Sequence, residues 1–173
     1  MNQHTESAEK THDIANFGQV FTPPAVVQAM LALRQNQGRV LEPSCGDGAF
    51  SRYLPDAVAI ELDPVHAPEG SLRLDFFAYP ECEKFATIIG NPPYVRYQDI
   101  LPGTRALLRS RLFDQRSNLY LFFIEKAIRH LDEGGELIFI TPRDFLKTTS
   151  SARLNQWLHA QGSITHAIEL GDA

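Results

Sequence analysis

Apolar residues along this chain gather in short runs separated by polar stretches rich in glycine and proline, and the spacing within the runs alternates between two periods. Val26, Val27, Met30, Leu31 and Leu33 recur at helical intervals up to Gln37-Gly38. Thr22-Pro23-Pro24 precedes them, a threonine suited to capping followed by prolines suited to a first helical turn. Arg39 to Glu42 reads as a short strand that runs into Pro43-Ser44-Cys45-Gly46-Asp47-Gly48. Ala49 to Leu54 reads as the start of a helix, Ala57 to Glu61 as a second strand and Leu72 to Leu74 as a weak third. Phe85 to Ile89 is a nearly continuous apolar run, the pattern of a strand covered on both faces. Leu119 to Leu131 predicts an amphipathic helix capped by Asn118 and stopped at Gly134-Gly135. Glu136 to Thr141 predicts a fifth strand, Ser151 to Gln161 another helix and Ser163 to Leu170 a sixth strand.

Strands alternating with helices predict an α/β protein with a doubly wound, mostly parallel sheet. Such sheets bind ligands beyond the carboxyl ends of their strands. Residues 1–16 are polar and unpatterned and are expected to form a loose tail, leaving one domain over 17–173. The apolar runs are too short to span a bilayer and the first residues lack the apolar core of a signal peptide, so a cytoplasmic protein is expected. In that setting Cys45 and Cys82 are expected to be reduced, and six scattered histidines suggest no metal site. The net charge of −5 argues against nonspecific nucleic-acid binding by the domain as a whole.

Four groups of residues fall at strand ends and carry chemistry. Glu42 to Gly48 follows the first strand. Its two glycines allow close approach of a ligand to the backbone, while Glu42 would repel a pyrophosphate and suit a ligand with a positive group. Glu61 ends the second strand about where a carboxylate can accept both hydroxyls of a ribose. Asp75, in Leu74-Asp75-Phe76-Phe77, can accept a hydrogen bond from an adenine amine while a neighbouring ring packs on the base, or it is a loop aspartate before two core phenylalanines. Asn91-Pro92-Pro93-Tyr94 follows the fourth strand. An amine on an aromatic ring is a weak nucleophile because its lone pair is delocalised. The Asn91 side-chain oxygen and the Pro92 carbonyl can accept its two N–H groups in a backbone stiffened by proline. Tyr94 offers a surface for stacking a flipped-out base.

The tetrapeptide Asn91-Pro92-Pro93-Tyr94 resembles the signature of methyltransferases acting on planar nitrogens. Together with Phe17-Gly18-Gln19-Val20-Phe21-Thr22-Pro23-Pro24 placed ahead of the glycine turn, it resembles the gamma-class, S-adenosylmethionine-dependent adenine-N6 DNA methyltransferases of bacterial restriction–modification systems. The likeness extends through Asn118-Leu119-Tyr120 and Gly134-Gly135 to Thr141-Pro142, over residues 17–171. The resemblance implies a Rossmann-like class I fold and S-adenosyl-L-methionine as cofactor, with adenine in double-stranded DNA as target. It implies that Thr22 meets the methionine carboxylate, that Glu42, Pro43, Ser44, Cys45 and Gly46 hold the methionine end, and that Glu61 holds the ribose. Asp75 and Phe76 would then read the cofactor adenine, with Pro93 and Phe123 along its ring.

Related methyltransferases that modify protein glutamine or the N2 of guanine in RNA share this tetrapeptide, as would an inactive assembly subunit of the same fold. The first two usually carry Asp-x-Gly-x-Gly at the turn, whereas Glu42-Pro43-Ser44-Cys45 and Thr22-Pro23-Pro24 favour DNA adenine. The resemblance also leads one to expect a further hairpin and a target-recognition domain, or a partner subunit, beyond residue 173. Val95 to Ser117 is a long connection bearing Arg96, Arg105, Arg109, Arg111 and Arg116, readable as phosphate contacts or as a solvated helical insertion.

Overall fold

The computed structural model describes residues 20–147 and 151–171; the tail at 1–16 and Phe17-Gly18-Gln19 lie outside them. Five strands, β1 (Val40–Glu42), β2 (Val58–Glu61), β3 (Leu72–Arg73), β4 (Phe85–Gly90) and β5 (Leu131–Phe139), form one sheet in the order β3-β2-β1-β4-β5. Every pairing is parallel, with Leu41 opposite Val58 and Ile88, and Ile60 opposite Leu72. The apolar run of β4 is buried almost throughout, as expected of a central strand, and pairs with β5 over Thr87–Gly90. The sheet is therefore the doubly wound, parallel α/β sheet expected from the alternating pattern.

Helices α1 (Pro24–Ala32), α2 (Pro102–Leu107), α3 (Leu119–Arg129) and α4 (Ala152–Gln161) connect or flank the strands. The side chain of Asn118 accepts from the Tyr120 N–H and caps α3 as its sequence predicts. This helix is buried on nearly every side. Phe122 and Phe123 pack into the core with Ile88, while Tyr120, Leu121 and Ile124 face a second cluster with Phe145 and Leu154. Its two buried charges have partners: Glu125 pairs with Arg129, and Lys126 donates to the carbonyls of Phe77 and Tyr79.

Four expectations need correction. The N-cap position of α1 is Pro23, without a side-chain cap, so Thr22 is not the capping residue. Ala49–Leu54 makes only a 3-10 turn at Ser51–Tyr53, because Leu54 precedes Pro55 and leaves the helical region at ψ 73°. Helix α3 ends at Arg129 instead of running to Leu131. Leu131 already pairs with Phe85, and residues 132–135 loop out, with Gly134 at φ +74°, before Glu136 resumes the ladder opposite Thr87. Residues 163–171 form no strand: Ile164, Ile168 and Leu170 are exposed, and among the described residues no ladder partner lies beside them. A strand exists only through its hydrogen-bonded neighbour, and an apolar alternation without one stays irregular.

Candidate functional site

Beyond the carboxyl ends of β1, β2 and β4 lies an open cleft. Its wall contains all eleven residues that the sequence assigns to cofactor binding: Thr22, Glu42, Pro43, Ser44, Cys45, Gly46, Glu61, Asp75, Phe76, Pro93 and Phe123. Asn91 stands in the same wall; Pro92, buried, and Tyr94, half-buried, do not. Residues up to 101 positions apart in sequence thus meet because three parallel strands end side by side.

The turn after β1 is held by the strand ends themselves. Glu42 is 1% exposed, and its two oxygens accept from the N–H groups of Phe50 (3.2 Å) and Ser51 (2.7 Å). Burial pushes its carboxyl up to about 7, against the pull of those two donors. Glu61, 5% exposed, accepts from Gly46 N–H at 2.7 Å and Asp63 N–H at 2.8 Å, tying β2 to the glycine turn. Gly46 adopts φ +53°, and apart from its chain neighbours no described residue comes within 4 Å of where a Cβ would stand, so backbone is offered there to a ligand. Cys45 is buried, and desolvation raises its thiol well above the ordinary range, which makes it an inert wall residue.

Asp75 caps the short turn Phe76–Ala78. One oxygen accepts from Phe77 N–H at 2.8 Å and the other from the Thr104 hydroxyl at 2.5 Å. Phe76 packs against Phe123 at 5.1 Å between centroids. Both rings are almost wholly buried, so they support the cleft as part of the core.

The Asn91 amide donates to the Val20 carbonyl (3.1 Å) and lies 3.4 Å from the Thr22 hydroxyl oxygen. The Val20 carbonyl can only accept, which orients the amide and leaves its oxygen toward Tyr94. The Tyr94 hydroxyl lies 2.9 Å from Asn91 Oδ1 and 2.8 Å from the Ile140 carbonyl, and its ring meets Tyr120 edge-on at 5.9 Å. Tyr94 is accordingly a half-buried anchor whose hydroxyl lies between Asn91 and the residue that follows β5.

Several arginines of the connection before α3 have partners within it. Arg105 donates to the carbonyls of Tyr97, Gln98 and Ile100, and Arg109 to those of Ala106 and Leu108. Arg96 pairs with Asp99 and Arg116 with Asp114. Arg105 and Arg109 thus hold the segment together, while Arg96 and Arg116 keep side chains 75% and 76% exposed beside their carboxylate partners. Val95, Ile100, Leu101 and Thr104 close one side of the cleft, which the sequence reading missed. The one local signal was Leu101-Pro102, a helix start that brings Thr104 into the first turn.

Comparison with known proteins finds relatives among the methyltransferases of restriction–modification systems. It is 35% identical to the type II methyltransferase M.TthHB8I of Thermus thermophilus over 91% of this chain and 42% of that protein. It is 30% identical to the type II methyltransferase M.HincII of Haemophilus influenzae over 88% of this chain and 33% of that protein. The chain thus spans less than half the length of these relatives. Among solved structures, a Vibrio vulnificus protein described as a modification subunit of a type I restriction enzyme superposes with a TM-score of 0.61 at 18% identity, covering 90% of this chain and 41% of that one. A Listeria monocytogenes protein described as a class I S-adenosylmethionine-dependent methyltransferase gives 0.58 at 17% identity, over 79% and 49%. These two share the fold. Residues 61–173 match the Eco57I restriction-modification methylase, and the chain belongs to that family.

Proposed function

We propose that the cleft binds S-adenosylmethionine and that the chain methylates the exocyclic N6 amine of a flipped-out adenine in double-stranded DNA. The observation that carries this reading is the charge of the wall. Glu42, Asp47, Glu61 and Asp75 line it together with Asn91, and no lysine, arginine or histidine is among the lining residues. Such a wall repels a pyrophosphate and favours a ligand that brings positive charge, as a sulfonium and an ammonium do. The wall also fits in shape: Gly46 offers open backbone, Glu61 and Asp75 keep lone pairs beyond those already used, and Pro93 with the phenylalanines gives an apolar flank.

In this reading Glu61 accepts the ribose hydroxyls, Asp75 accepts from the adenine amine, and Phe76, Pro93 and Phe123 flank the ring. Glu42 keeps the turn in shape while Pro43, Ser44, Cys45 and Gly46 border the methionine end, and the Thr22 hydroxyl faces its carboxylate. When bound, the cofactor supplies an electrophilic methyl group. Asn91 Oδ1 and the Pro92 carbonyl accept the two N–H groups of the target amine and return its lone pair to nitrogen. An amide oxygen has two lone pairs, so Asn91 can accept the amine while it keeps Tyr94. The acceptors are held beforehand and need no reorganisation. The type II relatives support DNA as substrate, and their greater length supports a separate target-recognition region or partner subunit for sequence choice.

The test is product analysis. Unmethylated duplex DNA incubated with the protein and methyl-labelled cofactor, then digested to nucleosides, is expected to yield label in N6-methyldeoxyadenosine, lost on Asn91→Ala. Label in N4-methyldeoxycytidine would contradict the adenine assignment.

A further inference from the structure

The contact between Asp75 and Thr104 joins the cleft to a segment with no expected part in it. Thr104 is 6% exposed, in the first turns of α2, and its hydroxyl donates to Asp75 Oδ2 at 2.5 Å across 29 positions. A hydroxyl–carboxylate bond this short is of the strong, charge-assisted kind. The segment that presents Thr104 is firmly seated. Ile100 and Leu108, 3% and 2% exposed, sit in the core cluster with Phe76 and Phe123. The Arg105 guanidinium lies 4.7 Å over the Tyr97 ring and bonds three carbonyls of the preceding turn.

We propose that Thr104 is a positioning residue that makes the nucleoside end of the cleft select a 6-amino purine over a 6-oxo purine. The proposal rests on the cofactor reading above. The Phe77 N–H and the Thr104 O–H pin both carboxylate oxygens of Asp75, so the side chain cannot rotate away from the cleft. Thr104 has a single proton and spends it on Asp75, so its oxygen is left with lone pairs only. Asp75 and Thr104 therefore turn acceptors, and no donor, toward a ligand edge. An exocyclic N–H finds a partner there, whereas an exocyclic carbonyl meets lone pairs and is left unsatisfied. A site that strands a polar group discriminates more sharply than one that merely loses a contact. Without the hydroxyl, Asp75 keeps only the Phe77 bond and can swing about it, and the selection weakens.

The test is calorimetric titration with two probes, S-adenosylhomocysteine and its inosyl counterpart, in which oxygen replaces the 6-amine. The parent is expected to prefer the adenosyl probe. Thr104→Val, nearly isosteric, is expected to weaken adenosyl binding by roughly tenfold, as loss of one bond to a charged group does, while inosyl binding barely moves. Thr104→Ser keeps the hydroxyl and is expected to match the parent. A ratio of two affinities on one preparation is insensitive to any loss of folded protein. Equal weakening of both probes in Thr104→Val, an unchanged ratio, or loss of the preference in Thr104→Ser overturns the proposal and leaves the cofactor reading intact. Failure of the parent to bind either probe overturns that reading as well.

Discussion

The Tyr94 hydroxyl lies 2.9 Å from the side-chain oxygen of Asn91, and the same hydroxyl lies 2.8 Å from the Ile140 carbonyl at the end of β5. The tyrosine of the tetrapeptide thus links the asparagine to the neighbouring strand. With Val20 and Thr22 engaging the other end of the amide, Asn91 is held from both sides before any substrate arrives. Ring and hydroxyl can be separated by mutation. Tyr94→Phe is expected to lower kcat for methyl transfer by roughly tenfold, the scale of one orienting hydrogen bond, with cofactor affinity unchanged. Tyr94→Ala, which also empties the contact with Tyr120, is expected to lose far more. Steady-state kinetics of the two variants check this, and full activity in Tyr94→Phe would remove the orienting role.

Glu42 gives the cleft a pH dependence. Its folded value of about 7 lies above the ordinary 4.5, so the folded state holds the proton more tightly than the unfolded chain. The corresponding stability is complete below about pH 4.5 and lost as pH rises through 7, on the order of 3 kcal/mol in all. His130 has the opposite sign: burial lowers its value, so its contribution is lost as pH falls. Comparing the parent with Glu42→Gln cancels the histidine. The stability difference between them, from urea unfolding at pH 5 and pH 8, is expected to shift toward the variant as pH rises. Cofactor affinity of the parent is expected to rise over the same range, as the wall gains charge, and that of Glu42→Gln to stay flat.

The two cysteines should behave as opposites. Cys82 is exposed, whereas Cys45 is 3% exposed with its thiol held protonated by burial beside Glu42 and Glu61. Alkylation at neutral pH followed by peptide mass analysis is expected to modify Cys82 rapidly and Cys45 only after unfolding. Fast labelling of Cys45 in the folded protein would show that the glycine turn opens freely.

Lys126 supports the turn that carries Asp75. Its ammonium donates to the carbonyls of Phe77 (3.3 Å) and Tyr79 (2.9 Å) and sits 5.4 Å over the Phe76 ring. Lys126→Met keeps the stem but leaves both carbonyls unpaired, at a cost of about 1–3 kcal/mol in unfolding free energy. Weaker cofactor binding should accompany that loss, since Asp75 and Phe76 lie on the same turn. Denaturant unfolding and titration of the variant measure both.

The site was more legible than some of the elements around it. Glu42, Glu61, Asp75 and Asn91 could be placed because each follows an apolar run whose strand character is local, and a parallel sheet brings such ends together. The failures arise where a partner elsewhere decides the outcome. Residues 163–170 alternate like a strand yet have no ladder beside them among the described residues, and the turn at Leu131–Gly135 is set by pairing with Phe85. Thr104 reaches Asp75 only through packing of Ile100 and Leu108, which spacing does not reveal. The arginines at 105 and 109 look like free cations in sequence because the carbonyls they bind carry no sequence signal.

Whether the acidic cleft holds S-adenosylmethionine is decided by calorimetric titration of the purified protein with that cofactor. Saturable binding that Glu61→Ala weakens strongly is expected, because that carboxylate both faces the cleft and holds Gly46. No binding at high cofactor concentration by a demonstrably folded protein, or binding indifferent to Glu61→Ala, would contradict it.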